Sequence, residues 1–549
     1  MEDSLQEAVR RIREVVGEAH VLTSPEEVES HSRDTSTWQR LCAAVVYPSS
    51  TAEVARVVQV ANEFGLPVWP YSKGKNWGYG ATQGLREGAV IMILERMNRI
   101  IEVNEELAYA VVEPGVTQKQ LNDHLKERNI KLWVDSTDST TEGSVVGNAL
   151  ERGVGYTPYW DHFGHLCGLE VVLASGEVVR TGAGPENSLT WHTHKWGSGP
   201  YIEGLFSQSN FGIVTKAGVW LLPEPEGFTC FICEVEDERN LPAAVDSIRR
   251  LALDRVLQSN VHMVNDVLFM AQMMQYPYDL LDGGTYLSDE TRAGLRRRLK
   301  VAPWTISGGI YGTHAQVRVS KKLIKKELSR SGRVTFLNDT SFGVMQRLLR
   351  FWQKNPEGPF APLLSKVTNS SLEKLQVIPH VYPILKGVPG DYIVGFAYFK
   401  SRGPRPTSNI DPARDNAGLI WLAVVSPLTG GRVDELVRLC VPAFHRHGFD
   451  WSCSLIMINP RSVLGLIEIF YDRTNPEETE RAQALYRELA AETLRAGYPQ
   501  YRTSIAHGPH MLDGAPEFRR MLDAMKSAID PHNIIAPGRY GLGLGETHE

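Results

Sequence analysis

The stretch Pro70–Gly80, "PYSKGKNWGYG", packs three glycines, two lysines, an asparagine, a tryptophan and two tyrosines into one turn-like segment after the strand-like "GLPVWP". Glycine reaches positive φ freely, so such a loop can turn its backbone N–H groups inward as an anion-binding nest. A strand-to-strand turn is the competing reading. Neither familiar phosphate pattern fits. Gly74-Lys75 is followed by Asn76 where a Walker loop needs Ser or Thr, and Gly74, Gly78 and Gly80 lack the spacing of a dinucleotide fingerprint opening a helix. Two other pairings invite chemistry. Cys230 and Cys233 form a CxxC inside "GFTCFICEVED", which reads as a strand. Residues three apart on a strand face opposite sides, so they read as buried small residues rather than a redox or zinc pair. His192 and His194 in "WHTHKW" have no further ligand cluster nearby and read as loop histidines.

The elements that must position these groups are legible in outline. "STAEVARVVQVANEFG" is a helix with a Ser/Thr start and a Gly stop, "TQKQLNDHLKERN" is a second, and "MEDSLQEAVRRIREVV" is amphipathic rather than a signal peptide. "AVIMIL", "IIEVNEELAYAVVEPG" and "GLEVVLASGEVVRTG" are strands, the last a hairpin around "ASGE". The texture changes near Pro223–Gly227, after which strands alternate with polar helices such as "PEETERAQALYRELAAETLRAG". Residues 399–416 form a long polar loop, a place where function often sits. With 549 residues, more than one domain is expected. The net charge of −6 argues against nucleic acid, and no apolar run is long enough for a membrane span. The cytoplasm is the expected location.

Longer segments carry a resemblance. "YPSSTAEVARVVQVANEFGLPVWPYSKGKNWGYG", "VVEPGVT", "EGSVVGNALERGVGYTPYWDHFG", "GPYIEGLFSQSNFGIVTK" and "IIAPGRYG" resemble flavoproteins of the vanillyl-alcohol oxidase and p-cresol methylhydroxylase type. The resemblance implies an α+β fold with an FAD-binding domain (1–226), a cap or substrate domain (227–500) and a C-terminal segment (501–549) returning to the first. It implies that the pyrophosphate of FAD lies against Ser72, Lys73, Gly74, Lys75, Asn76 and Trp77. Pro114, Gly115, Val116, Gly143, Ser144, Asn148, Arg152, Gly155, Gly212, Ile213, Val214 and, near the end, Gly538 and Arg539 join them. Trp77 itself is assigned to packing.

Oxidation of a para-substituted phenol needs the phenol ionised, and phenol has a pKa near 10, so the site must supply donors and positive charge. The resemblance places that group on Tyr79, Tyr501 and Arg502. Arginine offers a fixed charge and a rigid fork of donors, and tyrosine a further O–H. Hydride would pass from the para side chain to flavin N5, leaving a quinone methide. Tyr156 matches a tyrosine near the reacting carbon, with a core tyrosine as the alternative.

Two positions depart from the pattern. The usual flavin tether falls at Leu419, with Trp421 beyond it on the pocket wall, so FAD is expected to be non-covalent unless His380, Tyr382 or Tyr392 reaches it. The aspartate over the flavin falls at Ser139, leaving Asp138, Glu142, Asp415 or water alone to handle protons. The glutamate of the methylhydroxylase branch is replaced by Ser454 or Leu455. The expected substrate is a 4-alkylphenol or 4-hydroxybenzyl alcohol, the acceptor oxygen or a carrier such as a cytochrome, and the assembly a homodimer by analogy. A non-phenolic alcohol or hydroxy acid as substrate, or a flavin-binding protein without turnover, are the competing functions.

Overall fold

The computed structural model describes residues 2–543 apart from 39, 183–186, 355–364, 366, 367, 369 and 506. The chain first builds two small sheets. One joins β1 (Val21–Leu22), β2 (Ala44–Val46), β3 (Val68–Tyr71) and β4 (Val90–Ile93) in the order β1-β2-β4-β3, its inner pairs parallel. The helix Thr51–Phe64 makes the crossover, capped by Ser50 and stopped by Gly65 in the left-handed region. The second joins β5 (Ile100–Asn104), β6 (Tyr109–Val112), β8 (Leu166–Val172), β9 (Val178–Arg180) and β10 (Ile213–Trp220) in the order β5-β6-β10-β8-β9. β8 and β9 form the hairpin expected from the sequence. A two-stranded ladder of β7 (Leu132–Trp133) and β11 (Leu222–Pro223) closes this part of the chain.

From Gly227 onward one eight-stranded sheet dominates. Its strands are β12 (Gly227–Val235), β13 (Val261–Asn265), β14 (Trp304–Gly312), β15 (Arg333–Leu337), β16 (Gly418–Pro427), β17 (Cys453–Asn459), β18 (Ser462–Tyr471) and β19 (Gln500–Arg502). Their order is β15-β12-β14-β13-β17-β18-β16-β19. Tyr501 and Arg502 therefore stand on the edge strand of this sheet, and the chain leaves it only afterwards. The helix Pro516–Ile529 then leads back, and Ile535 bridges to Val68 of β3.

Strand periodicity decides which residues do what. One face of the large sheet, carrying Phe231, Met263, Ile306, Ile420, Leu455 and Ile467, is buried in a core shared with the helices Leu241–Leu253, Gly430–Arg446 and Pro476–Arg495. The other face lines a cavity. Cys230 and Cys233 fall on opposite faces, Cys230 on the cavity wall and Cys233 in the core. Burial pushes both thiols up to about 12, so neither is a ready nucleophile. His192 is buried against Trp191 and Tyr109 and bonds the Cys167 carbonyl. Among the described residues no group of three or more His, Cys, Asp or Glu is placed to hold a metal, and no helix is long and apolar enough to cross a membrane.

Candidate active site

Two adjoining clefts occupy the seam between the N-terminal sheets and the large sheet. The smaller, of about 150 Å³, is lined by Ser72–Asn76, Ser139, Gly143, Ser144, Asn148, Gly212–Val214, Arg502 and Arg539. The larger, of about 270 Å³, shares Lys75, Asn76, Ser139, Asn148 and Arg502 with it and continues over the sheet.

The first cleft is built to take an anion on backbone groups. Among the described residues, no protein acceptor takes the N–H of Lys73, Gly74, Lys75 or Asn76. Buried or half-buried donors left open in this way need an outside acceptor. Gly74 sits at φ +65°, and a Cβ there would meet Thr82 Cγ2 at 2.2 Å. A Cβ on Gly147 would meet Ser72 Oγ at 2.7 Å, and one on Gly212 would meet Val171 Cγ1 at 2.5 Å. Three nearby cations are already paired: Lys73 with Glu95, Lys75 with Asp411 at 2.9 Å, and Arg539 with Glu151, whereas the Arg502 guanidinium is held, among the described residues, only by the Glu151 carbonyl. A dinucleotide pyrophosphate fits this donor set, held mainly by backbone N–H groups.

Several expected cofactor residues stand behind the cleft rather than on it. The Pro114 carbonyl accepts from Ser144 Oγ at 2.6 Å, and Gly115 packs against the backbone oxygens of Leu94, Glu95 and Met97. Val116 is buried in the adjoining core. Arg152, at φ +53°, turns its Nε to Ser207 Oγ, and Gly155 lies against Asp135 and His162; neither lines either cleft. Trp77 lines the larger cavity.

At one end of the larger cavity the structure brings together Tyr79, Tyr501 and Arg502. The Arg502 Cζ lies 5.3 Å from the Tyr79 ring centre and 5.6 Å from that of Tyr501. Its Nε and Nη2 both donate to the Glu151 carbonyl, which fixes the guanidinium plane. Burial holds the Tyr79 hydroxyl well above its ordinary pKa, with Tyr501 adding to the shift and Arg502 opposing it, so Tyr79 remains a donor. Tyr79 stacks parallel to Trp421 of β16, ring centres 6.4 Å apart. Gly78 makes that approach possible: a Cβ there would sit 2.3 Å from Trp421 Cδ1, at φ +79°.

A device invisible in the sequence holds this loop. The carboxylate of Asp34 is fully buried and accepts from the N–H of Gly78 at 2.9 Å, Gly80 at 3.0 Å and Ser36 at 3.2 Å. Next to it, Thr35 Oγ1 donates to the Leu419 carbonyl at 3.0 Å and the Thr35 carbonyl accepts from Leu419 N at 3.1 Å and Tyr471 Oη at 2.7 Å. Residues 34–36 thus tie the Tyr79 loop to β16. "RDTSTW" looks like a surface turn, and nothing in it announced a buried carboxylate.

Further titratable and polar groups lie along the sheet. Tyr156 donates to Asp138 Oδ2 at 2.6 Å and stacks on His262 of β13 with ring centres 4.2 Å apart. His262 Nε2 and Thr305 Oγ1 are buried with no partner among the described residues, and both residues line the cavity wall. Burial lowers the His262 pKa to about 4, so the ring is neutral at neutral pH. Glu468 of β18, fully buried, accepts from Ser452 Oγ at 2.8 Å and Ser454 Oγ at 3.3 Å. Burial raises its pKa to about 8, so it carries its proton at neutral pH. Glu468 and His262 were missed from the sequence, although a lone charged or titratable residue inside the apolar runs "LIEIF" and "VHMV" is the available signal.

Of the other candidates, Ser139 lines both clefts and Asp138 the larger one. Asp415 instead pairs with Arg414 and takes the Tyr398 hydroxyl at 2.6 Å, and neither it nor Glu142 lines a cleft. Leu419 and Ser454 line the cavity, whereas Leu455 does not: one residue further along the strand it points into the core beneath the sheet. His380 and Tyr392 stack on each other away from the cavity, and Tyr382 lines it with its hydroxyl turned to Asp339.

Comparison with known proteins agrees with this architecture. An FAD binding domain family model matches residues 42–182. Over 98% of the chain and 95% of the relative, it is 31% identical to the 4-cresol dehydrogenase [hydroxylating] flavoprotein subunit of Pseudomonas putida. The chain belongs to the p-cresol methylhydroxylase type of FAD flavoproteins. The 1'-carboxy-chondrochloren decarboxylase of Chondromyces crocatus is 34% identical over 98% of this chain and 97% of its own. The structure of p-cresol methylhydroxylase with substrate bound superposes at TM-score 0.86 and 30% identity, covering 100% and 99% of the two chains. The 4-ethylphenol oxidase of Gulosibacter chungangensis, in complex with isoeugenol, superposes at 0.84 and 28%, covering 99% and 98%. This methylhydroxylase-type flavoprotein is accordingly an FAD-dependent oxidoreductase of two-domain α+β fold.

Proposed function

We propose that this flavoprotein oxidises a para-substituted phenol at the side-chain carbon next to the ring. The observation that carries the reading is the meeting of Tyr79, Tyr501 and Arg502, from opposite ends of the chain, at the end of the cavity that adjoins the FAD cleft. A fixed cation and hydroxyl donors at one point stabilise a phenolate oxygen. Trp421, stacked on Tyr79, and Leu419 supply flat apolar walls for the aromatic ring. FAD, when bound, supplies the two-electron acceptor for the hydride leaving the para side chain, and Leu419 gives it no tether.

The oxidised substrate is a quinone methide with three balanced exits. Water adds to the side-chain carbon and gives up a proton; the next carbon loses a proton to give an alkene; or a carboxylate there leaves as CO2, its bond pair forming the alkene and restoring the phenolate. Asp138 is the acceptor for either proton, since it is oriented by the Tyr156 hydroxyl while Glu468 already carries a proton. The decarboxylase among the relatives supports the third exit as a member of the same set.

The test is anaerobic mixing of the holoenzyme with 4-ethylphenol and vanillyl alcohol while following the oxidised-flavin absorbance. Rapid bleaching is expected. No bleaching across a panel of para-phenols would overturn the reading in favour of a non-phenolic substrate. The rate of recovery on admitting air separates an oxidase from an enzyme that passes electrons to a protein carrier.

A further inference from the structure

The larger cavity continues well past what a simple phenol needs. Each of the eight strands contributes at least one residue to its wall, from Arg502 on β19 through Trp421, Glu468, Ser454, His262, Thr305 and Ile232 to Leu337 on β15. Neighbouring strands lie about 4.8 Å apart, so the path from β19 to β14 crosses five spacings, roughly 24 Å. A phenol with its para carbon covers little more than one of them.

The composition of the wall changes along the path. Tyr156 of the N-terminal part stands against β13. Over β14, β12 and β15 the opposite wall is made by two helices of the later chain, Asp266–Met273 and Leu372–Val381. This arm is apolar in its middle, lined by Phe269, Val377, Ile378, Val381, Ile232 and Leu337. Its polar side chains are Gln272, Thr305, Ser307 and Lys374. Thr305 Oγ1 is buried without a partner among the described residues. Lys374, itself buried, gives one N–H to Glu234 and another, at 3.0 Å, to the Lys300 carbonyl, while an ammonium has three. Glu234 is shared between Lys374 and Arg333, so the cluster carries a net positive charge.

We propose that the preferred substrate is a phenol whose para substituent is a long chain, apolar along its length and ending in a carboxylate. The phenolate sits at Tyr79 and Arg502; the chain runs over β17, β13 and β14; the terminal carboxylate meets the Thr305 hydroxyl and the Lys374 ammonium. This rests on the phenol-oxidation reading above and specifies its substrate class.

The experiment compares kcat/KM of the holoenzyme for 4-ethylphenol with that for ω-(4-hydroxyphenyl)alkanoic acids of four, eight and twelve carbons and for uncharged alkylphenols of matching length. The expected result is a rise of about tenfold or more from 4-ethylphenol to the best of the longer acids, with the matching alkylphenols in between. Thr305→Val should lower the value for the acids by about tenfold and leave 4-ethylphenol alone, because only the distal hydroxyl is lost. Ile232→Trp should block the arm, abolishing the long-chain preference and sparing 4-ethylphenol. Rapid turnover of 4-ethylphenol with rejection of every long acid would overturn this inference and leave phenol oxidation standing. Equal slowing of short and long substrates by Ile232→Trp would also overturn it, since the arm would then be an entry route. Failure of all phenols alike would fall on the underlying reading instead.

Discussion

The two walls of the active-site seam work by different means. The N-terminal wall is loop: it offers backbone N–H groups from Lys73 to Asn76, held in shape by positive-φ glycines and the buried Asp34 carboxylate. The facing wall is sheet: it offers only side chains, every second residue of eight strands. A backbone wall suits a ligand that never changes, because main-chain donors are the same in any sequence that keeps the turn. A side-chain wall can be rewritten one residue at a time without disturbing the ladder beneath it. In the proposed reading the cofactor faces the first and the substrate mostly the second, and Tyr79 and Tyr156 are the N-terminal part's contributions to the larger cavity.

Four substitutions sharpen this contrast. The largest expected effect is Arg502→Ala, which removes the fixed charge at the end of the cavity proposed for the phenolate. Flavin reduction by 4-ethylphenol should slow by about 10²–10³ with FAD still bound, as read by anaerobic stopped-flow absorbance. If the flavin is lost instead, Arg502 belongs to the cofactor wall. Next comes Asp34→Ala, which strips the acceptor from Gly78 and Gly80 inside a fully buried site. Stability should fall by about 2–4 kcal/mol in urea titration, since buried donors are left unpaired.

Gly78→Ala is third. Its methyl group meets Trp421 in a left-handed turn, so about 1–3 kcal/mol of stability should go together with a displaced Tyr79 and a raised KM for phenols. The most specific effect is that of Glu468→Gln. Glu468 holds its proton up to about pH 8 in the folded protein, against an ordinary value of 4.5. Between those two values the folded state binds the extra proton, so its contribution to stability falls as pH rises and levels off above 8. Chemical denaturation from pH 5 to 9 should show that slope in the parent and a flatter curve in Glu468→Gln, with the variant relatively more stable at high pH. Parallel curves would mean that Glu468 titrates near its unfolded value.

Legibility in the sequence follows the same division. The loop wall announced itself because glycine spacing and a long, distinctive segment such as "ERGVGYTPYWDH" are contiguous in the chain. Tyr79, Tyr501 and Arg502 were named from their motifs and do meet at one end of the cavity. The capped helix Thr51–Phe64 and the hairpin of β8 and β9 likewise follow from local chemistry. The sheet wall was harder. Its residues are scattered over eight strands, and phase along a strand decides everything: of the neighbours Ser454 and Leu455, both named from the sequence, only Ser454 faces the pocket. Asp34 was silent because its role depends entirely on what folds over it. Arg152 and Gly155, read from the same motif as Asn148, fall outside the clefts because the chain turns sharply there, with Arg152 at positive φ.

The alternation of the large sheet also has an evolutionary side. Neighbouring positions such as Phe231 and Ile232, or Leu455 and Ser454, answer to separate demands: one to the persistence of the fold, the other to what the enzyme accepts. Drift on the cavity side is therefore cheap in folding terms, and a lineage can change diet without first securing a sturdier scaffold. A library confined to Ile232, His262, Thr305, Ser454 and Trp421 should yield folded, flavin-loaded proteins of altered appetite far more often than one confined to the residues beside them.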